Sequence, residues 1–215
     1  MQDVTELRRL PSPAPRPQAL AFDGHYLWMG SLETQRLYAI DPDHWTVREE
    51  AQVPGRPFGA TVVGDELRVI YGIGEADDRV IGRFIPGHGF RESDIVACPE
   101  DTGSQLGYDG DFLYVSQWYD QRILQVSDRG KVLRTIATPR GICGLVVVAS
   151  RFFILNTDDE ASDEYFITRI DARGETPVVE DLARVPFAAR ALTFDGERFW
   201  TNHRESGEIV AFANP

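Results

Sequence analysis

Apolar and polar residues alternate along this chain in short runs closed by Gly, Asp, Asn or Pro, and no helical period emerges. The stretch Gly103 to Ile136 shows the unit most clearly. Leu106 to Tyr108 is an apolar run ending in Asp109-Gly110, a pair that predicts a two-residue hairpin because both central positions need positive φ. Phe112 to Gln117 is aromatic and β-branched, and Trp118-Tyr119-Asp120 turns the chain. Arg122 to Val126 makes a third strand, and Asp128-Arg129-Gly130 leads to a fourth, Lys131 to Ile136. The pattern predicts one antiparallel four-stranded meander.

The meander recurs. With the residue closing each first hairpin as anchor, Gly24, Gly64, Gly110, Ser150 and Gly196 stand 40, 46, 40 and 46 residues apart. Three positions beyond them come Leu27, Leu67, Leu113, Phe153 and Phe199, large apolar side chains as a strand facing a packed interior requires. Third strands align at 37–40, 80–84, 123–126, 167–170 and 209–212, and polar turns at 41–44, 86–89, 128–130 and 172–175 precede the fourth. Tandem four-stranded units of about 40 to 45 residues predict an all-β fold, a five-bladed β-propeller of antiparallel blades. All 215 residues are expected to form this one domain, with blades at approximately 18–53, 57–98, 104–138, 141–183 and 188–215.

The last repeat lacks a fourth strand. Leu7-Arg-Arg-Leu10 precedes Pro11 as Leu133-Arg-Thr-Ile136 precedes Pro139, so residues 4–10 are expected to complete blade five by pairing with residues 208–212. Pro11 to Pro17 then reads as an extended connector from that outer strand to the first inner one. The longer spacings are expected to reflect top-face loops at 72–78 and 157–164.

Charge narrows the partners. A net charge of −12, from 22 basic and 34 acidic residues, repels phosphate backbones and anionic bilayers, so neither nucleic acid nor membrane is expected as a partner. No apolar run approaches the ~18 residues of a membrane helix, and the N-terminus lacks a signal-peptide stretch, so a cytoplasmic location is the expectation. Cys98 and Cys143 carry no CxxC or metal spacing and read as free thiols.

Blade-to-blade connections and the loops between second and third strands share the top face, where binding residues on a constant scaffold tend to sit. Gln18, Phe58, Ser104, Cys143 and Arg190 open the inner strands there, with Arg56 and Arg140 just before them. Ser31, Tyr71, Gln117 and Trp118, then Asn156, Asn202 and His203, end the second strands. Together they describe a mixed polar and aromatic pocket suited to a small polar molecule or a peptide. The same groups serve equally well to satisfy strand-end backbone and hold channel water. His203 is the candidate general base or metal ligand, and structural use of a lone strand-end histidine competes with that role. Asp158, Asp159, Glu160, Asp163 and Glu164 form an acidic loop that matches no EF-hand spacing and reads as a solvated one. Arg36, Arg79 and Arg122 recur at the start of third strands and read as a repeated staple on the preceding turn.

Leu113-Tyr-Val-Ser-Gln-Trp-Tyr-Asp-Gln-Arg-Ile-Leu124, followed by Gly130-Lys-Val-Leu133 and Pro139-Arg-Gly141, resembles the blade pattern of NHL-repeat proteins. It is similar also to the wider group of SMP-30/gluconolactonase-like and streptogramin-lyase-like propellers. That resemblance implies a divalent cation, Ca²⁺ or Mg²⁺, at the channel mouth, with Asn156 and Asn202 as the matching metal ligands, and in some members lactone hydrolysis. The family's first-strand glutamate stands here as Gln18, and its third-blade Pro-Asn-Gly as Thr102-Gly-Ser-Gln105. Five blades match the count of plant-type glutaminyl-cyclase-like propellers. Three functions stay open at this point: a ligand-binding propeller, a metal-dependent hydrolase or lyase at the same mouth, and a protein-interaction scaffold using Trp118 and Tyr119.

Overall fold

A computed structural model describes residues 1–174 and 176–215; the turn expected at 172–175 runs onto Glu175, which lies outside the described residues. The chain opens on β1 (Glu6–Pro11), then builds blade one from β2 (Pro17–Phe22), β3 (Leu27–Ser31), β4 (Arg36–Asp41) and β5 (Thr46–Gln52). Blade two holds β6 (Arg56–Val63), β7 (Glu66–Ile73) and β8 (Asp78–Ile85), with an outer strand in two pieces, β9 (Gly89–Phe90) and β10 (Val96–Ala97). Blade three is β11 (Leu106–Tyr108), β12 (Leu113–Gln117), β13 (Arg122–Val126) and β14 (Val132–Ala137). Blade four is β15 (Gly141–Val148), β16 (Arg151–Thr157), β17 (Tyr165–Asp171) and β18 (Val178–Val185), and blade five starts with β19 (Ala189–Phe194), β20 (Arg198–His203) and β21 (Glu208–Ala213). Among the described residues the helical content is one 3-10 turn, Pro99–Asp101.

The ring closes through its two ends. β1 lies antiparallel on β21, from Glu6 opposite Phe212 to Pro11 opposite Glu208, which covers the edge that a three-stranded last blade would expose. The first residues go further. Val4 N–H donates to the Arg184 carbonyl at 2.8 Å and Arg184 N–H to the Gln2 carbonyl at 2.9 Å, so the N-terminus also binds the outer strand of blade four. One segment therefore fastens two blades.

The core sits between blades. Five apolar clusters each draw on neighbouring sheets, such as Trp28 and Leu37 of blade one against Leu67, Val69 and Phe84 of blade two. Leu27, Leu67, Phe153 and Phe199, three residues past their anchors, are buried, and Leu113 is half-buried.

Two turn expectations need correcting. Tyr108 pairs with Leu113, so Asp109-Gly110 lies in a four-residue loop and not in a two-residue hairpin. Only the glycine of that pair has positive φ, +105°, because Asp109 serves a different end: its Oδ1 accepts from the N–H groups of Asp111 and Phe112. In blade two the loop between second and third strands is residues 74–77, as long as those at 32–35 and 118–121. Much of that blade's extra length lies instead in the broken outer strand and the 3-10 connector.

Candidate functional site

The inner strands share a distortion where they reach the top face. Pairing shifts by a bulge between Pro17 and Ala19 in β2, Pro57 and Gly59 in β6, Ile142 and Gly144 in β15, and Arg190 and Thr193 in β19. The fifth inner strand begins beyond an irregular Ser104-Gln105, whose backbone N–H groups bond Ser116. A bulge re-aims the side chain at the extra residue. Here it turns Gln18, Phe58 and Cys143 inward, and with Arg190, which keeps its partner Asn202 just before the bulge of β19, and with Ser104 and Gln105 they line one cavity of about 240 Å³ at the channel mouth. Glycines at two of these bulges let strands touch: a Cβ on Gly59 would stand 2.7 Å from Gln105 Cα, and one on Gly144 2.6 Å from the Ala191 carbonyl carbon.

Three guanidinium groups face this cavity among the described residues, against one carboxylate. Arg190 is only 4 % exposed, with Nη1 donating to the Tyr165 hydroxyl and, at 2.8 Å, to the Ala189 carbonyl. Burial works against its charge, yet Cys143, Tyr165 and Glu160 hold its pKa above the ordinary arginine value. Its ion-pair partner, Glu160, stands 3.4 Å from Nη2 on the loop after β16. Arg79 lies over the Phe58 ring, 3.5 Å from its centroid, and pairs with Asp77 at 2.6 Å behind the lining. Arg204 donates to Gln18 Oε1 at 3.0 Å and meets Glu205 at 3.3 Å, again outside the lining. Arg79 thus does more than staple its turn.

Trp118 and Tyr119 form the aromatic side of the rim, ring centroids 5.0 Å apart and edge to face, with Tyr119 88 % exposed. The Trp118 indole Nε1 is buried with no hydrogen-bond partner among the described residues. Cys143 Sγ lies 3.9 Å from both Arg190 Nη1 and Glu160 Oε1. Burial pushes its thiol up to about 12, so it stands as a neutral wall group and not as a nucleophile.

Other sequence-predicted residues lie elsewhere. Arg56 pairs with Asp77 at 2.6 Å in a separate cleft beside Gly72. Gln117 is buried, donating to the Pro99 carbonyl at 2.9 Å. Arg140 is bidentate on Asp181 at 3.0 and 3.1 Å and packs over Phe166. His203 faces outward to Phe187, Arg9 and Glu208, and burial followed by the Arg9 charge lowers its pKa. Asn156 donates to Thr168 Oγ1 at 2.7 Å, while Asn202 is buried with neither side-chain polar atom paired among the described residues.

The donor set does not fit the divalent cation that the family resemblance implies. No cluster of three or more His, Cys, Asp or Glu with metal-holding geometry occurs among the described residues. The cavity offers one carboxylate amid three arginines, and Asn156 and Asn202 lie outside its lining. Arg79, Gln105, Glu160 and Arg204 join the mouth beyond the residues that the repeat pattern places there. A larger cavity, about 360 Å³, opens on the opposite face between blades two and three, but only two blades line it. Its arginines are already satisfied, Arg68 by Glu66 and Arg83 by Glu66 and Asp94.

No protein-family model matches the chain, and no curated protein matches it. Solved structures do. Hydrazine synthase of Kuenenia stuttgartiensis is similar over 90 % of this chain, at 14 % identity and a TM-score of 0.56, and the chain spans 64 % of it. The PQQ-bound form of aldose sugar dehydrogenase from Streptomyces coelicolor is similar over 98 % of both chains, at 12 % identity and a TM-score of 0.58. At such identities the likeness is one of fold. Among the described residues no helix is long and apolar enough to cross a membrane.

Proposed function

We propose that this propeller binds a small polar molecule at the top of its central channel. The observation that carries the proposal is the convergence of side chains from four inner strands and from the segment leading into the fifth on one cavity, with a nearly buried arginine in its wall. A charge kept at 4 % exposure is costly unless something uses or compensates it. A cavity of about 240 Å³ suits a metabolite and is tight for a peptide segment. The two solved structures named above are enzymes, which keeps catalysis at the same mouth as a second reading. The test is a thermal-shift survey of small sugars, amines, amino acids and carboxylates on the wild type and on Arg204→Gln. A ligand that raises the melting temperature of the wild type and fails to do so for the variant supports the site. Stabilisation by the same ligand in both would place binding elsewhere.

A further inference from the structure

The mouth already holds one carboxylate, and it belongs to the protein. Glu160 reaches in from the loop between β16 and β17, with Oε2 3.4 Å from Arg190 Nη2 and Oε1 3.9 Å from Cys143 Sγ. The pair is lopsided: the Arg190 side chain is 4 % exposed and that of Glu160 46 %. Arginine is fixed in the wall by Tyr165 and the Ala189 carbonyl, so the glutamate is the partner free to leave. The loop does not depend on this carboxylate. Its fold is held by the Thr157 hydroxyl on the Asp159 and Glu164 carbonyls, by Asp159 Oδ1 on the Ala161 N–H, and by Tyr165 on the Glu160 carbonyl.

We infer that the ligand of this pocket is a small carboxylate with an apolar flank, and that its carboxylate exchanges with that of Glu160 on Arg190. The inference rests on the proposed binding site and names its ligand class. Facing the cavity, Arg79 and Arg204 have their own carboxylates, Asp77 and Glu205, on the side away from the lining, so among the described residues Glu160 alone competes for the space inside. Nη1 of Arg190 is taken by Tyr165 and the Ala189 carbonyl, so the exchange runs through Nη2, the nitrogen that Glu160 now meets, as a charge-assisted hydrogen bond. The exposed Tyr119 ring and the Trp118 indole supply the apolar face next to it. A tethered anion at the site lowers the apparent affinity of a free one by the fraction of time it occupies the arginine.

Calorimetric titration of the wild type and of Glu160→Gln with benzoate, acetate, inorganic phosphate and neutral benzamide tests this. Benzoate is expected to bind Glu160→Gln roughly threefold to tenfold more tightly than the wild type, to outbind acetate, and to show an enthalpy that falls with salt; benzamide should show no gain. Equal or weaker benzoate binding by Glu160→Gln overturns the exchange, and phosphate binding better than benzoate overturns the carboxylate class. If no anion binds while the neutral compounds of the thermal-shift survey still stabilise the protein through Arg204, the inference fails and the site stands. If nothing binds to either protein, both fall. Circular dichroism of Glu160→Gln, whose half-exposed carboxylate meets the side chains of Arg190 and Cys143, is expected to match the wild type.

Discussion

The carboxylate of Asp195 accepts a hydrogen bond from the indole Nε1 of Trp200 at 2.7 Å, across the turn that opens blade five. The same contact joins Asp23 to Trp28 at 2.6 Å, and Asp109 to the Tyr114 hydroxyl at 2.6 Å. In each case the other carboxylate oxygen takes the two turn N–H groups, so one residue holds the hairpin and anchors a large aromatic of the inter-blade core. Asp195→Ala leaves the buried indole and both N–H groups short of an acceptor, at a cost of about 1–3 kcal/mol. Urea denaturation should show that loss, with Asp195→Asn in between; an unchanged midpoint would count against the turn as a stabilising unit.

Acid should unfold the protein through these groups. Burial would raise the pKa values of Asp195 and Asp109, but hydrogen bonds from Trp200 and Tyr114 and from the turn N–H groups hold both below the ordinary 3.8. Glu66 is held at about 2 by Arg83 and Arg68. For carboxylates depressed in the folded state, the stabilisation is fully present above the unfolded values and drains as pH falls through the folded ones. His203, lowered by burial and by Arg9, acts in the same direction from its unfolded value of 6.5 downward. Melting temperature is therefore expected to decline gently below about pH 6.5 and steeply between about pH 4.5 and 2. A melting temperature that rose on acidification would contradict these assignments.

Removal of residues 1–10 should open the ring. It strips β1 from β21 and the first residues from the edge of blade four, leaving two unpaired strand edges. A loss on the order of 4 kcal/mol corresponds to a fall of roughly 10 °C in melting temperature for a chain of this size. Size-exclusion chromatography should show self-association through the bared edges. A truncated protein that melts and elutes with the wild type would show that the closure is dispensable.

Neither thiol should react readily in the folded protein. Burial pushes both Cys98 and Cys143 up to about 12, so the thiolate fraction at pH 8 is far below that of an unfolded chain. Disulfide-reagent kinetics should be slower in buffer than in urea by roughly a hundredfold or more. Fast modification of Cys143 in the native state would contradict its reading as a neutral wall group.

The repeat made the fold legible because equivalent positions in every blade face the same way. That equivalence is why Gln18, Phe58, Ser104, Cys143 and Arg190, read as the openings of inner strands, all line one cavity. It also let Leu7 to Leu10 be read as the missing strand of blade five. The bulges were hidden, since nothing in Pro17-Gln-Ala19 or Ile142-Cys-Gly144 distinguishes an extra residue from an ordinary one. Parity decided the strand ends: Asn202 and His203 sit on opposite faces of β20, and His203 turns out toward Phe187 and Arg9. Glu160 and Arg204 arrive on loops whose paths the repeat does not set, so their meeting with Arg190 and Gln18 was not readable from the chain.

The claim that all five blades build one ligand site is tested most directly by a high-resolution electron-density map of crystals soaked in benzoate. Density is expected at the channel mouth, with its carboxylate on Arg190 and its ring toward Trp118 and Tyr119. Ligand density confined to the cavity between blades two and three, with Glu160 still seated on Arg190, would contradict it.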